Sequence, residues 1–200
     1  GVANPNIYAT YVDRSGAIWL GNWGKGGADR LDPVTGRVVA VRSDLPSVSN
    51  TFYEDAAGTL WIGAGGGVGG VYACTPSTMT CRAEGSSDLR SKFVYALYGD
   101  RDGRLWAGTV GGLFRYDGRS WTHLTASSGA PNATVRAFAS TRDGALWMGT
   151  NGGGLARYRE GTFTPVTRAE GLPSDLIRSL YADADGWLWV GTEGRGLARV

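Results

Sequence analysis

The chain has 200 residues, a formal net charge of +2, 33 glycines and a hydrophobic share of 42%. That is enough apolar material for a core. The glycines follow no Gly-X-Y period, which excludes collagen, and the near-neutral charge with dispersed Lys and Arg excludes a nucleic-acid face. No apolar run approaches the roughly 20 residues of a membrane helix, so no direct membrane contact is expected. Gly1-Val-Ala-Asn-Pro5 has neither the charged nor the apolar region of a secretion signal. This leaves a processed chain, one without its leader, or a cytosolic one.

In chain order, one pattern recurs five times. Residues 7–12 alternate in character and are rich in β-branched and aromatic side chains, as a strand requires. Asp13-Arg-Ser-Gly16 is a turn, 18–21 a second strand, 28–32 a third after a Gly-rich loop, and 37–41 a fourth. The second unit repeats this at 51–54, 60–63, 70–73 and 80–83, the third at 93–98, 105–108, 113–116 and 120–124. The fourth has 135–139, 146–149, 155–158 and 162–166, and the fifth 176–181, 188–191 and 197–200. The stretches 43–50 and 168–175 are polar, carry Pro and read as loops between units. Trp19, Trp61, Trp106, Trp147 and Trp189 mark the period at spacings of 42, 45, 41 and 42.

Four short antiparallel strands per period in the low forties define an all-β fold, the β-propeller. A leucine-rich horseshoe needs a shorter period, and paired-helix repeats need a 3.6-residue periodicity that is not visible. The expected organisation is a single propeller region over 1–200, with blades at about 6–42, 48–84, 92–125, 134–167 and 175–200. The fifth blade stops at Val200 before its fourth strand, and the expectation is an incomplete blade in a larger propeller, since an unpaired edge is a liability.

The pattern Asp-x-x-Gly-x-Leu-Trp-x-Gly-Thr, then Gly-Gly-Leu-x-Arg-Tyr, then a short Gly-x-Phe-Thr strand resembles the two-component regulator propeller repeat. Asp100 to Tyr116 and Asp183 to Arg199 carry it best, and the resemblance covers nearly the whole chain. Thr141 stands where the turn Asp is expected, Asn22 and Ala64 replace the Thr after Gly, and the second repeat carries a Cys insertion. The resemblance implies the periplasmic sensor region of a bacterial hybrid histidine kinase or diguanylate cyclase. As partners it implies further blades and membrane-anchored signalling domains in the parent protein.

Physically, the conspicuous repeat residues are scaffold. Asp13, Asp55, Asp100 and Asp183 sit where a turn carboxylate accepts backbone N–H bonds and the following Gly takes positive φ. One carboxylate per blade is too widely spaced to share an ion, and the repeated Trp is core. Cys74 and Cys81 bracket a short insertion between two strands, a geometry that suits a disulfide and with it an oxidising compartment; the alternative is two reduced thiols at a hairpin. The Gly runs 65–67 and 152–154 lack the Lys-Ser/Thr and helix of a phosphate loop. His123 is the only His and reads as a blade-edge residue, so neither a metal cluster nor a Ser-His-Asp arrangement is legible. No cofactor, metal or catalytic residue is expected.

The information about function lies where the copies differ. Five residues before each turn Asp, or before Thr141, stand Tyr8, Asn50, Tyr95, Arg136 and Arg178. If the first strand is innermost, these lie near one end of a central funnel, where they would suit a polar or anionic ligand, a sugar or uronate. Alternatively they satisfy one another around water. The loops between second and third strands add Trp23, Lys25, Asn151, Glu193 and Arg195, beside Asn22, for sugar contact or for packing against a neighbouring domain. The expected function is a non-catalytic periplasmic sensing module that binds a small polar ligand, an oligosaccharide among them, or a neighbouring domain. The alternatives are a protein-interaction scaffold and a propeller-fold polysaccharide lyase or hydrolase.

Overall fold

The computed structural model describes residues 6–23, 27–40, 45, 48–66 and 68–200. Among the described residues the fold is all-β apart from a four-residue helix, α1 (Ser87–Arg90), and two 3-10 turns. Strands β1 (Ile7–Val12), β2 (Ile18–Asn22), β3 (Ala28–Leu31) and β4 (Val38–Ala40) form the first sheet, in the order β1-β2-β3-β4. The second is β5 (Val48–Glu54), β6 (Leu60–Gly65), β7 (Gly70–Thr75) and β8 (Thr80–Glu84). The third is β9 (Val94–Gly99), β10 (Leu105–Thr109), β11 (Gly112–Tyr116) and β12 (Trp121–Leu124). The fourth is β13 (Val135–Ser140), β14 (Leu146–Thr150), β15 (Leu155–Arg159) and β16 (Thr162–Val166). The fifth has three strands, β17 (Ile177–Ala182), β18 (Leu188–Thr192) and β19 (Leu197–Arg199). Each sheet is a meander in chain order, the blade of a β-propeller.

The molecule divides into two compact units, Gly1–Ala107 with Asp117–Trp121, and Gly108–Tyr116 with Thr122–Val200. In the first, Trp19, Phe52, Leu60, Ile62 and Tyr72 form a buried cluster. In the second, Trp147, Leu155, Leu172, Ile177, Leu188 and Val190 do so. The second strands are buried along their length in β6, β10 and β14, which is why their Leu-Trp-x-Gly runs show no alternation.

One local device recurs at the turns. Asp13 Oδ1 accepts the backbone N–H groups of Ser15 (2.9 Å) and Ala17 (3.0 Å), while Oδ2 accepts the indole N–H of Trp19 at 2.8 Å. Asp55, Asp100 and Asp183 hold Trp61, Trp106 and Trp189 in the same way, at 2.8, 2.8 and 2.7 Å. The turn glycine that follows is left-handed, as at Gly103 (φ 77°), where a Cβ would be strained. In the fourth sheet the Trp147 indole donates to the Thr141 hydroxyl at 3.2 Å instead. The Thr141 hydroxyl in turn donates to Asp143, which also accepts the Ala145 N–H at 3.2 Å.

A second device joins consecutive sheets. The Gly of Trp-x-Gly lies under the start of the next sheet's first strand. A Cβ on Gly63 would come 2.7 Å from Val94 Cγ1, one on Gly108 2.7 Å from the Val135 carbonyl oxygen, and one on Gly149 2.6 Å from Ile177 Cγ2. At Gly21 it would strike the Ser49 carbonyl. These glycines serve close approach between sheets.

Cys74 and Cys81 are direct cross-strand partners in β7 and β8 and are joined as a disulfide, with Cα atoms 4.0 Å apart. The stretch 43–50 departs from the sequence reading at its end. Val48, Ser49 and Asn50 belong to β5, with Val48 and Ser49 buried. The polar Ser-Asn pair hid a strand whose inward positions are fixed by the neighbouring sheet.

Candidate functional site

At four of the five turns, the variable position five residues ahead has a specific backbone setting. In β1, Ile7 pairs with Asn22 and Ala9 with Gly21, so Tyr8 stands alone between two paired residues, a β-bulge. Asn50 occupies the same place between the pairs Ser49–Ala64 and Thr51–Gly63. So does Arg136, between Val135–Thr150 and Ala137–Gly149, and Arg178, between Ile177–Thr192 and Ser179–Gly191. A bulge takes its extra residue out of the ladder and re-aims its side chain, and such bulges concentrate at sheet rims and beside functional sites.

Fifteen residues after each of these positions stands a residue of the second loop group: Trp23, Asn151 and Glu193, with Gly65 and Val110 in the sister copies. Their backbone N–H groups bond back to the residue ahead of the first strand or at its start. Trp23 donates to the Asn6 carbonyl (2.9 Å), Asn151 to Thr134 (2.8 Å) and Glu193 to Leu176 (2.9 Å). The two groups read separately from sequence are therefore neighbours at one end of the first, fourth and fifth sheets. The contacts show it: the rings of Tyr8 and Trp23 lie 4.9 Å apart, and Arg178 pairs with Glu193 at 2.6 Å.

The two units differ in chemistry at this end. In the first, Tyr8 (64% exposed) and Trp23 (44%) continue into Phe93, 6.4 Å from Trp23, and then Tyr95, 4.7 Å from Phe93. Asn50 is engaged structurally, donating its side-chain amide to the Val94 carbonyl at 3.0 Å, which ties β5 to β9. In the second, Arg136, Asn151, Arg178, Glu193 and Arg195 bring charge and amide groups. Arg178 and Glu193 are each 45% exposed at the side chain, so their ion pair is solvated and weak. Asn151 and Arg195 are exposed. Lys25 lies outside the described residues.

The turn carboxylates are occupied by their structural bonds. Burial would raise the Asp13 pKa, but hydrogen bonds from Ser15, Trp19 and Ala17 outweigh it and hold the group below the usual carboxylate range. The Trp189 indole bond lowers Asp183. Asp143 is brought down to about 2 by the Thr141 hydroxyl and the Arg157 guanidinium. His123 is exposed, has Nε2 3.2 Å from the Gly111 carbonyl and stacks on Phe114 at 4.2 Å. Among the described residues no group of three or more His, Cys, Asp or Glu is placed to hold a metal ion, and no helix is long and apolar enough to cross a membrane.

Sequence reasoning missed three things. The Thr of Gly-Thr closes the following loop through its hydroxyl, as Thr109 to Gly112 (3.0 Å), Thr150 to Gly154 (2.9 Å) and Thr192 to Gly196 (2.8 Å). Asn22, one of the copies without Thr, is fully buried and turns its amide to the fully buried Asp29 at 3.4 Å. The signal was present, since Asp29 stands where sister strands have Tyr72 and Ala156. Third, two hollows of about 340 Å³ flank the Cys74–Cys81 hairpin, one beside Thr59 and Arg82, the other among Ser15, Arg30 and Met79. Neither is lined by a candidate residue.

Three segments, 88–111, 129–152 and 171–194, match the family model described as the two component regulator propeller. No curated protein sequence matches the chain. Among solved structures, the fold is similar to the extracellular domain described for a hybrid two component system of B. thetaiotaomicron, with a TM-score of 0.79 and 24% identity over 100% of this chain and 27% of that one. It is similar to PorZ, a surface component of the type-IX secretion system of Porphyromonas gingivalis, with a TM-score of 0.71 and 20% identity over 98% of this chain and 32% of that one. It is also similar to virginiamycin B lyase from Staphylococcus aureus, with a TM-score of 0.72 and 14% identity over 96% of this chain and 68% of that one. The chain thus spans 27% and 32% of the first two of these proteins.

Proposed function

For a chain that carries the two-component regulator propeller repeat, we propose the role of a non-catalytic, extracytoplasmic sensing module in a bacterial signal-transduction protein. It binds a small polar ligand, sugars included, at the sheet ends that carry the bulged residues. The observation that carries the reading is the bulge itself. The side chain at each such position, Tyr8, Asn50, Arg136 or Arg178, has no cross-strand partner position, so its identity is set by something other than the ladder. The Cys74–Cys81 disulfide supports an oxidising compartment and hence the periplasm. Further blades of the same propeller, and membrane-anchored signalling domains of the parent protein, are the partners this role requires. The region 1–200 is then a single propeller region.

The test is thermal unfolding of the chain across neutral and acidic saccharides. A ligand at 100 times its Kd should add about 2.7 kcal/mol of stability. The rise should shrink on replacing Tyr8, Arg136 or Arg178 by Ala. A flat response to every ligand favours a scaffold that only docks proteins, and cleavage of a polysaccharide that depends on Arg136 or Arg178 favours a lyase or hydrolase; either outcome overturns the proposal.

A further inference from the structure

The first unit carries a feature that the bulges at Tyr8, Asn50, Arg136 and Arg178 do not explain. Tyr8 and Trp23 belong to the first sheet, Phe93 and Tyr95 to the start of the third, and successive ring centroids lie 4.9, 6.4 and 4.7 Å apart. The four rings therefore form one strip that passes over the second sheet. Gly65 makes the passage possible. It is the second sheet's counterpart of Trp23, and a Cβ there would collide with the Phe93 ring. An exposed Trp at a position that is Gly, Val, Asn or Glu in the other copies is a local departure, and here glycine and tryptophan depart together to complete a single surface.

We infer that the strip Tyr8–Trp23–Phe93–Tyr95 is a stacking surface for an extended, neutral oligosaccharide; this rests on the ligand-binding reading above and names its ligand class. Two observations and the chemistry of sugars favour that occupant. Tyr8 and Trp23 are 64% and 44% exposed and Phe93 and Tyr95 are half-buried, whereas an anchor for a protein side chain is a desolvated pocket. The four side chains of the strip are rings without charge, and the charged candidates among the described residues, Arg136, Arg178, Glu193 and Arg195, belong to the other unit. A sugar ring is amphipathic, with a C–H face that covers an aromatic ring and hydroxyls at its edge, and Tyr and Trp offer the matching combination of apolar face and polar tip. Because the rings follow one another from the first sheet to the third, binding rewards a chain of linked sugars over a single one.

The experiment titrates the whole chain with glucose, xylose, galactose and mannose and with their linear oligomers of two to six residues, following tryptophan fluorescence and heat, beside acidic uronate oligomers. At least one neutral series should bind with affinity that rises on the order of tenfold from one sugar to four. Trp23→Ala and, separately, Tyr8→Ala should each weaken it by up to about tenfold. Tyr8→Ala should do so with an unchanged unfolding midpoint, which separates lost stacking from lost fold. Uronate binding that ignores both substitutions would leave the sensing role standing and overturn the strip. Trp23-dependent self-association with no saccharide bound would also overturn it, as a protein interface. Silence toward every ligand, with no self-association, would remove both.

Discussion

At the scale of single residues, the repeated Asp serves two bonds that its spacing alone did not reveal together. One carboxylate oxygen closes the turn and the other receives the buried indole N–H. The pairing explains why Asp and Trp recur six residues apart: a buried indole donor left without a partner costs about 1–3 kcal/mol. The fourth sheet solves the same problem with Thr141 and Asp143, and this makes Asp143 a test of the network. Its carboxyl pKa is about 2 when folded against an ordinary 3.8. The folded value is the lower one, so its contribution is present above about pH 4 and is lost as pH falls toward 2. Its side chain is 43% exposed, so the effect is partly screened. Urea unfolding at pH 5 and pH 2.5 should show a smaller acid-induced loss in Asp143→Asn than in the parent chain. An equal loss in both would mean that this carboxylate does not sense the fold.

At the scale of elements, the strands and turns were legible because their causes are local. Alternation, Asp-x-x-Gly and Leu-Trp-x-Gly each report on a few residues at a time. The bulges were not legible, since a bulge exists only relative to the partner strand, and Tyr8 or Arg178 looks in sequence like any alternating position. The start of β5 was lost for a similar reason, because Ser49 and Asn50 are polar residues recruited by contacts from neighbouring sheets. The Trp-x-Gly glycines mark that inter-sheet contact and can be tested. Gly149→Ala places a methyl 2.6 Å from Ile177 Cγ2 and should cost about 1–3 kcal/mol by overpacking. In an Ile177→Ala background the same change should cost at least about 0.5 kcal/mol less, since the two sites share one contact. Strict additivity in denaturant unfolding would show that the glycine is kept for another reason.

At the scale of the whole molecule, repetition made the propeller legible from the spacing of five tryptophans, and similarity to solved propellers bears it out. The proposed ligand class was far less legible. It depends on which variable side chains meet, and only the coordinates show that Tyr8 meets Trp23 while Arg178 meets Glu193. The disulfide joins cysteines seven residues apart in sequence, and closing so short a loop should contribute about 2–3 kcal/mol to stability. Reduction, or replacement of both cysteines by Ser, should lower the denaturation midpoint while far-ultraviolet dichroism of the native state stays unchanged. A midpoint that does not move would show the bridge to be dispensable to the fold.

The bulge has one more consequence. A residue outside the ladder can be exchanged without breaking a cross-strand pair, so under the proposed sensing role mutation there explores recognition at little risk to folding. Tyr8, Arg136 and Arg178 are in effect interchangeable slots on a constant frame. A library randomised at these positions should yield mostly folded members, and selection could then move the specificity of such a propeller faster than its architecture drifts.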